Sequence, residues 1–480
     1  MNNHSSTTGQ AKINILAVST YELGHQPLIL ARLASTFDHY GVSYTLIDNS
    51  VDNRSFETPN DFRLSNGSFP THLIISVPMH TATQLGKKIA ERARTIFASN
   101  ITVISLGMYF KVALSAPGLF DCGFPTFDSP GLLGTLGLDD SPSPKMNSLV
   151  PNRTSLPLIA NYARLITQND QRPVGYVEST TGCAHECRHC PVPVVHHGKF
   201  KAIARQIVLD EIDNLVENGA QHITFGDPDF LNGPTHAVKI VREMHRRHPG
   251  LTFDATIKVE HVLEHPSIWD EMAQCGLLFI VSAFEHTSEI ILEKLDKGHT
   301  KSDIIEALIL LRTCGIEVRP SLLPFTPWTN QNNFIELVEF IFEHDLTENI
   351  DPVQLGIRLL VPLDSLLLSD EDIEFGPWNP DALSFEWRSN DPKVDQLQEI
   401  LSEIAQTSQT TPESPTSIFH KMRDATYDHF GVKRPPLSSI TIGNNFKPRL
   451  SESWFCCAEP TQKQLGTFEL CSGPQIEIQK

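Results

Sequence analysis

At 480 residues with 40% hydrophobic side chains, the chain is long enough for two or three domains with full cores, which excludes disorder as its bulk state. A formal charge of −19 argues against broad contact with a phosphate backbone, so nucleic acid is not an expected partner. The polar N-terminus and the lack of a bilayer-length apolar run predict a soluble cytoplasmic protein without membrane contact, and nine cysteines, an odd count, fit a reducing compartment.

Residues 1–12 read as a disordered tail. Across 13–115, β-rich apolar runs at 13–18, 44–47, 73–77 and 101–106 alternate with helical periodicity at 27–39 and 81–97. That pattern predicts a doubly wound, Rossmann-like α/β layer. Residues 116–171, rich in Pro, Gly, Ser and Asp, read as a linker with short ordered pieces.

From 172 to 365 strand and amphipathic helix repeat. Strands are expected at 174–177, 222–225, 251–257, 278–281, 317–322 and 353–360, and six such βα units predict a partial (β/α)6 barrel. Reactive groups in such a barrel belong in the loops after the strands. After the first strand comes Thr181-Gly182-Cys183-Ala184-His185-Glu186-Cys187-Arg188-His189-Cys190-Pro191, with C-x3-C-x2-C spacing. Iron–sulfur clusters ordinarily take four cysteines, so three on a cubane leave one iron open to another ligand. A zinc site competes, because His185, His189, His196 or His197 would complete a Cys3His set, although zinc ligands usually come as two pairs across a longer loop.

This loop resembles that of the radical S-adenosylmethionine (SAM) superfamily. The resemblance implies a 4Fe-4S cluster on Cys183, Cys187 and Cys190 and reductive cleavage of SAM, with a flavodoxin or ferredoxin as external electron donor. It also gives roles to the strand ends. Gly226-Asp227-Pro228-Asp229-Phe230 stands where the superfamily usually meets the SAM amino group, and Asp229 is preferred over Asp227. Lys258 and Glu260 close the third strand, with an exposed ion pair as the plainer reading. Ser282 and Glu285 close the fourth, and His286 reads as a helix-start residue. Arg319 and Arg358 lie in apolar strands where a guanidinium needs an anion, either a SAM or substrate carboxylate or a structural partner.

The layout of 13–115 resembles the cobalamin-binding-type domain that precedes many radical SAM domains. Here no Asp-x-His-x-x-Gly follows the first strand, Leu106-Gly107-Met108-Tyr109 replaces the usual Gly-Gly, and His25 reads equally as a loop residue, so cobalamin stays open.

Residues 366–480 read as an auxiliary segment with helices at 394–406 and 418–430, ending in Trp454-Phe455-Cys456-Cys457-Ala458-Glu459-Pro460. With Lys297-Gly298-His299-Thr300 and Pro324-Phe325-Thr326-Pro327-Trp328 upstream, this tail resembles the radical SAM family named for its CUAEP or CCAEP ending. A position that takes S or Se suits soft-element binding, redox exchange or nucleophilic work, so Cys456 and Cys457 are the catalytic candidates. The expected activity is radical or group transfer to a small substrate, with transfer of the SAM aminocarboxypropyl group to thiolate-bound As(III) as one form. A cobalamin-dependent methyltransferase and a non-catalytic zinc or redox sensor are the alternatives.

Overall fold

A computed structural model describes residues 13–138, 148–408, 413–437 and 446–452. Cys456, Cys457 and the tail around them lie outside the described residues.

The first sheet holds five parallel strands, β1 (Asn14–Ser19), β2 (Ser43–Asp48), β3 (His72–Ser76), β4 (Thr102–Leu106) and β5 (Cys122–Phe124), in the order β2-β1-β3-β4-β5. Alternate residues of β1 serve opposite faces. Ile15 and Ala17 pack with the helix Leu28–Tyr40, and Leu16 and Val18 with the helix His80–Phe97. The strand order reverses between β1 and β3, and in open α/β sheets ligands bind outside the carboxyl ends at such a point.

The second sheet is built on parallel strands β7 (Gln171–Val177), β10 (His222–Phe225), β11 (Thr252–Thr256), β12 (Leu277–Glu285) and β13 (Glu317–Leu322). Two antiparallel additions extend it past β7, first β6 (Arg164–Ile166) and then β16 (Arg449–Leu450). A hairpin of β8 (Thr180–Gly182) and β9 (Phe200–Ala202) brackets the cysteine loop, and a second, β14 (Phe375–Asn379) with β15 (Ser384–Trp387), follows the barrel. Helices Pro392–Ser408 and Pro415–Phe430 close the barrel core through Leu397, Leu401, Phe419 and Met422.

Two expectations are corrected. The sixth strand does not form: Pro352–Gly356 is a short helical turn, and only an isolated parallel bridge joins Arg358 to Phe325. Lys258 and Glu260 are not strand neighbours, because β11 ends at Thr256 and Lys258 caps the helix Val259–Glu264. The short ordered pieces of 116–171 include β5 in one sheet and β6 in the other. No helix among the described residues is long and apolar enough to cross a membrane.

Candidate active site

The carboxyl ends of both sheets face one cavity of about 330 Å³. Cys183, Cys187 and Cys190 line it from the barrel side, and Glu22, His25, Met79 and Met108 from the loops of the first sheet.

The cysteine loop is held by its surroundings. Asp227, fully buried after β10, accepts from the backbone N–H groups of Ser179 and Thr180 at 3.0 and 2.6 Å and from their hydroxyls at 2.8 and 2.6 Å. Burial pushes its carboxyl up to about 7 despite these donors. Asn232 grips the loop from both sides, accepting from the Ala184 N–H at 3.0 Å and donating to the Gly182 carbonyl. Arg188 pairs with the buried Asp370 at 2.8 Å. At Gly182, with φ +83°, a Cβ would stand 2.4 Å from the Lys199 carbonyl oxygen, so only glycine fits.

Cys183 and Cys187 are buried and Cys190 half-buried, and none is in a disulfide. Burial pushes the Cys183 thiol up to about 11, so a thiolate there needs a cation to claim its proton's place. Among the described residues, donors close enough to surround a single ion occur at His185, Asp229 and His261, not among the three thiols. Sulfurs bound to one zinc stand only about 4 Å apart.

Beside the thiols lies a buried charged trio. Glu285, at the end of β12 with φ +60°, accepts from Lys297 Nζ at 3.1 Å and contacts His189 Nε2 at 3.0 Å. Against the cost of burial, Lys297 and His189 hold the Glu285 carboxyl down at about 2. Lys297 is 3% exposed, and the charges of Glu285 and Cys187 raise its pKa against burial. Lys258, lining the cavity, pairs with Glu260 Oε2 at 3.1 Å.

The remaining sequence candidates sit elsewhere. Asp229 caps the turn Phe230–Asn232 and faces His261, away from the cavity. Ser282 donates to the Ile257 carbonyl at 2.7 Å. Arg319 lies 3.6 Å from Asp351, and Arg358 pairs with Asp395 at 2.6 Å and stacks on Trp387 at 3.6 Å, so protein groups supply both anions. His286 accepts from the N–H groups of Thr287 and Ser288, as a helix-start residue would.

Sequence reasoning missed Lys297, Glu22 and Tyr176. Lys297 belonged to a quoted motif, and its place in the loop between two helices after β12 was the available signal. Glu22 follows β1, where burial and the nearby Asp48 push its carboxyl up to about 8. His25 stacks on Tyr176 at 4.7 Å, and burial lowers its pKa to about 4, leaving a neutral ring.

Residues 177–341 match the Radical SAM superfamily. Among curated proteins, the chain is 24% identical over 179 residues to ribosomal protein uS12 methylthiotransferase RimO of Clostridium botulinum (strain Loch Maree / Type A3), covering 35% of this chain and 39% of that one. It is 26% identical over 194 residues to RimO of Clostridium perfringens (strain SM101 / Type A), covering 37% and 41%. The chain thus spans about two fifths of the length of these relatives. Among solved structures, the cobalamin-dependent SAM radical enzyme OxsB with aqua-cobalamin bound superposes with TM-score 0.62 at 14% identity, over 87% of this chain and 72% of that one. The radical SAM methyltransferase TsrM from Kitasatospora setae, with cobalamin and a 4Fe-4S cluster bound, gives TM-score 0.59 at 14% identity, over 88% and 100%. The likeness to OxsB and TsrM extends across both sheets and is one of fold. The domain at residues 177–341, with its three-cysteine loop at the head of a parallel half-barrel, is thus the part of the chain that matches the radical SAM superfamily.

Proposed function

We propose that the protein is a radical SAM enzyme in which Cys183, Cys187 and Cys190 hold a 4Fe-4S cluster with one iron open, while SAM and a small substrate share the cavity between the sheets. The observation that carries this reading is the convergence of three thiols on a cavity at the strand ends. A bound cluster would supply the electron that cleaves SAM. The protein's part is placement: Asp227 fixes the loop base, Glu285 and Lys297 set the local charge, and Lys258 presents an ammonium to any carboxylate in the cavity.

For the reaction itself we propose that the tail thiols Cys456 and Cys457 hold a soft acceptor, with trivalent arsenic first and the SAM aminocarboxypropyl group as the cargo. Leu450 lines the cavity, and Glu452 accepts from Tyr21 at 3.2 Å beside it. Reduced, cluster-loaded enzyme given SAM and arsenite should form methylthioadenosine only with arsenite, and lose it in the Cys456→Ser/Cys457→Ser variant while keeping the cluster. Deoxyadenosine alone, indifferent to arsenite and to those cysteines, would replace this reaction with hydrogen abstraction.

The cobalamin reading draws support from the strand order of the first sheet and from the fold of OxsB and TsrM. Against it, the loop after β1 is covered: a Cβ on Gly24 would meet Glu452 at 2.9 Å and Ala163 at 3.3 Å, and Tyr162 donates to Asp48 at 2.7 Å. We therefore expect this sheet to wall the cavity rather than to carry a corrinoid.

A further inference from the structure

We infer that His185, Asp229 and His261 form a site for one borderline divalent cation, zinc(II) or iron(II), which fastens the cysteine loop to the ends of β10 and β11. The site is separate from the three thiols, and the inference stands or falls apart from the proposed SAM chemistry.

The three residues come from successive strand ends: His185 from the loop after β8, Asp229 from the turn after β10, His261 from the helix after β11. One donor atom from each lies within 4.8 Å of the other two. Asp229 Oδ2 is 2.9 Å from His261 Nδ1 and 3.8 Å from His185 Nε2, distances that bracket the roughly 3.3 Å between donors around a tetrahedral zinc. Two imidazoles and one carboxylate suit zinc(II) or iron(II) better than calcium or magnesium, which prefer all-oxygen sets.

A second observation points to a ligand. Asp229 is completely buried, yet its Oδ2 takes part in no hydrogen bond, and neither does the facing His261 Nδ1. Buried polar atoms seldom stay unpaired. A cation held between the two atoms would satisfy both. The outer groups agree, since metal-bound imidazoles commonly rest their second nitrogen against a carboxylate. His185 Nδ1 lies 3.6 Å from Glu260 Oε2, and His261 Nε2 lies 3.9 Å from Glu264 Oε2.

The competing arrangement is a hydrogen-bonded Asp229, His261, His185 chain, because His185 Nε2 also stands 3.2 Å from His261 Nε2. A cobalt(II) titration separates the two. Full-length protein with Cys183, Cys187, Cys190, Cys456 and Cys457 all replaced by Ser should bind one Co2+ per chain, with ligand-field bands of nitrogen and oxygen donors, no thiolate charge-transfer band, and displacement by Zn2+. His261→Gln and His185→Gln should weaken binding more than tenfold. So should Asp229→Asn, which keeps the cap on Leu231. No Co2+ uptake, or equal uptake in all three variants, would overturn the site and leave the hydrogen-bonded chain. Should the multiple variant not fold, metal and sulfide analysis of the reconstituted native chain decides. One metal ion in excess of sulfide, lost in His261→Gln, supports the site, and equal counts in both proteins reject it.

Discussion

Glu285, buried, and Glu22, half-buried, are both carboxyls on the cavity wall, and their surroundings push them in opposite directions. Glu285 has its folded pKa depressed from 4.5 to about 2, so its contribution to stability is present above the ordinary carboxylate range and is lost as pH falls from 4.5 toward 2. Lys297→Met removes the ammonium that sustains this charge. It should cost about 3–5 kcal/mol in urea unfolding, as expected for a broken buried pair, and should flatten the acid limb of stability against pH. Unchanged stability would mean that His189 alone supports Glu285. Glu22 has its folded pKa raised to about 8, so the unfolded chain releases that proton first and stability falls as pH rises from 4.5 to 8. Glu22→Gln should remove this slope, which urea midpoints across that window would read. Glu285 was legible in the sequence because it closes a recognisable strand. Lys297 was not, because its partner lies across a helix, and hydrogen bonding between loops leaves no periodic trace.

The buried parallel strands were readable because their apolar runs pack on both faces, as at β1, where Ile15 and Leu16 both have no exposure. The sixth run, 353–360, misled for a physical reason. It is just as apolar, but Pro352 opens a helical turn there, and Arg358 finds Asp395 and Trp387 instead of a neighbouring strand. Short pairings such as β6 with β16 join segments more than 280 residues apart and have no local signature. The loop carrying the thiols owes its shape to its glycine as much as to its cysteines. Gly182→Ala places a Cβ against the Lys199 carbonyl at a positive φ, with a backbone strain of about 1–3 kcal/mol. Iron content after reconstitution should fall well below that of the parent while far-ultraviolet circular dichroism persists. Full iron loading would show that the loop tolerates another backbone path.

At the scale of the whole molecule, two sheets of different design present their carboxyl ends to one cavity, and the final described strand returns between them. The first sheet and the half-barrel were both foreseeable from alternation of strand and helix, but their mutual facing depends on β6, β16 and the packing of Glu452 on Gly24. Expressed with cobalamin supplied, the purified protein should show no stoichiometric corrinoid absorbance. A tightly bound corrinoid would require the covered loop to open and would favour methyl transfer. The central claim rests on the three-cysteine loop, and anaerobic reconstitution tests it most directly. The native chain should take up about four irons and four sulfides and then cleave SAM on reduction, and replacing Cys183, Cys187 and Cys190 by Ala should abolish both. Cluster binding and SAM cleavage that survive the triple replacement, or zinc taken up without iron or sulfide by the native chain, would contradict it.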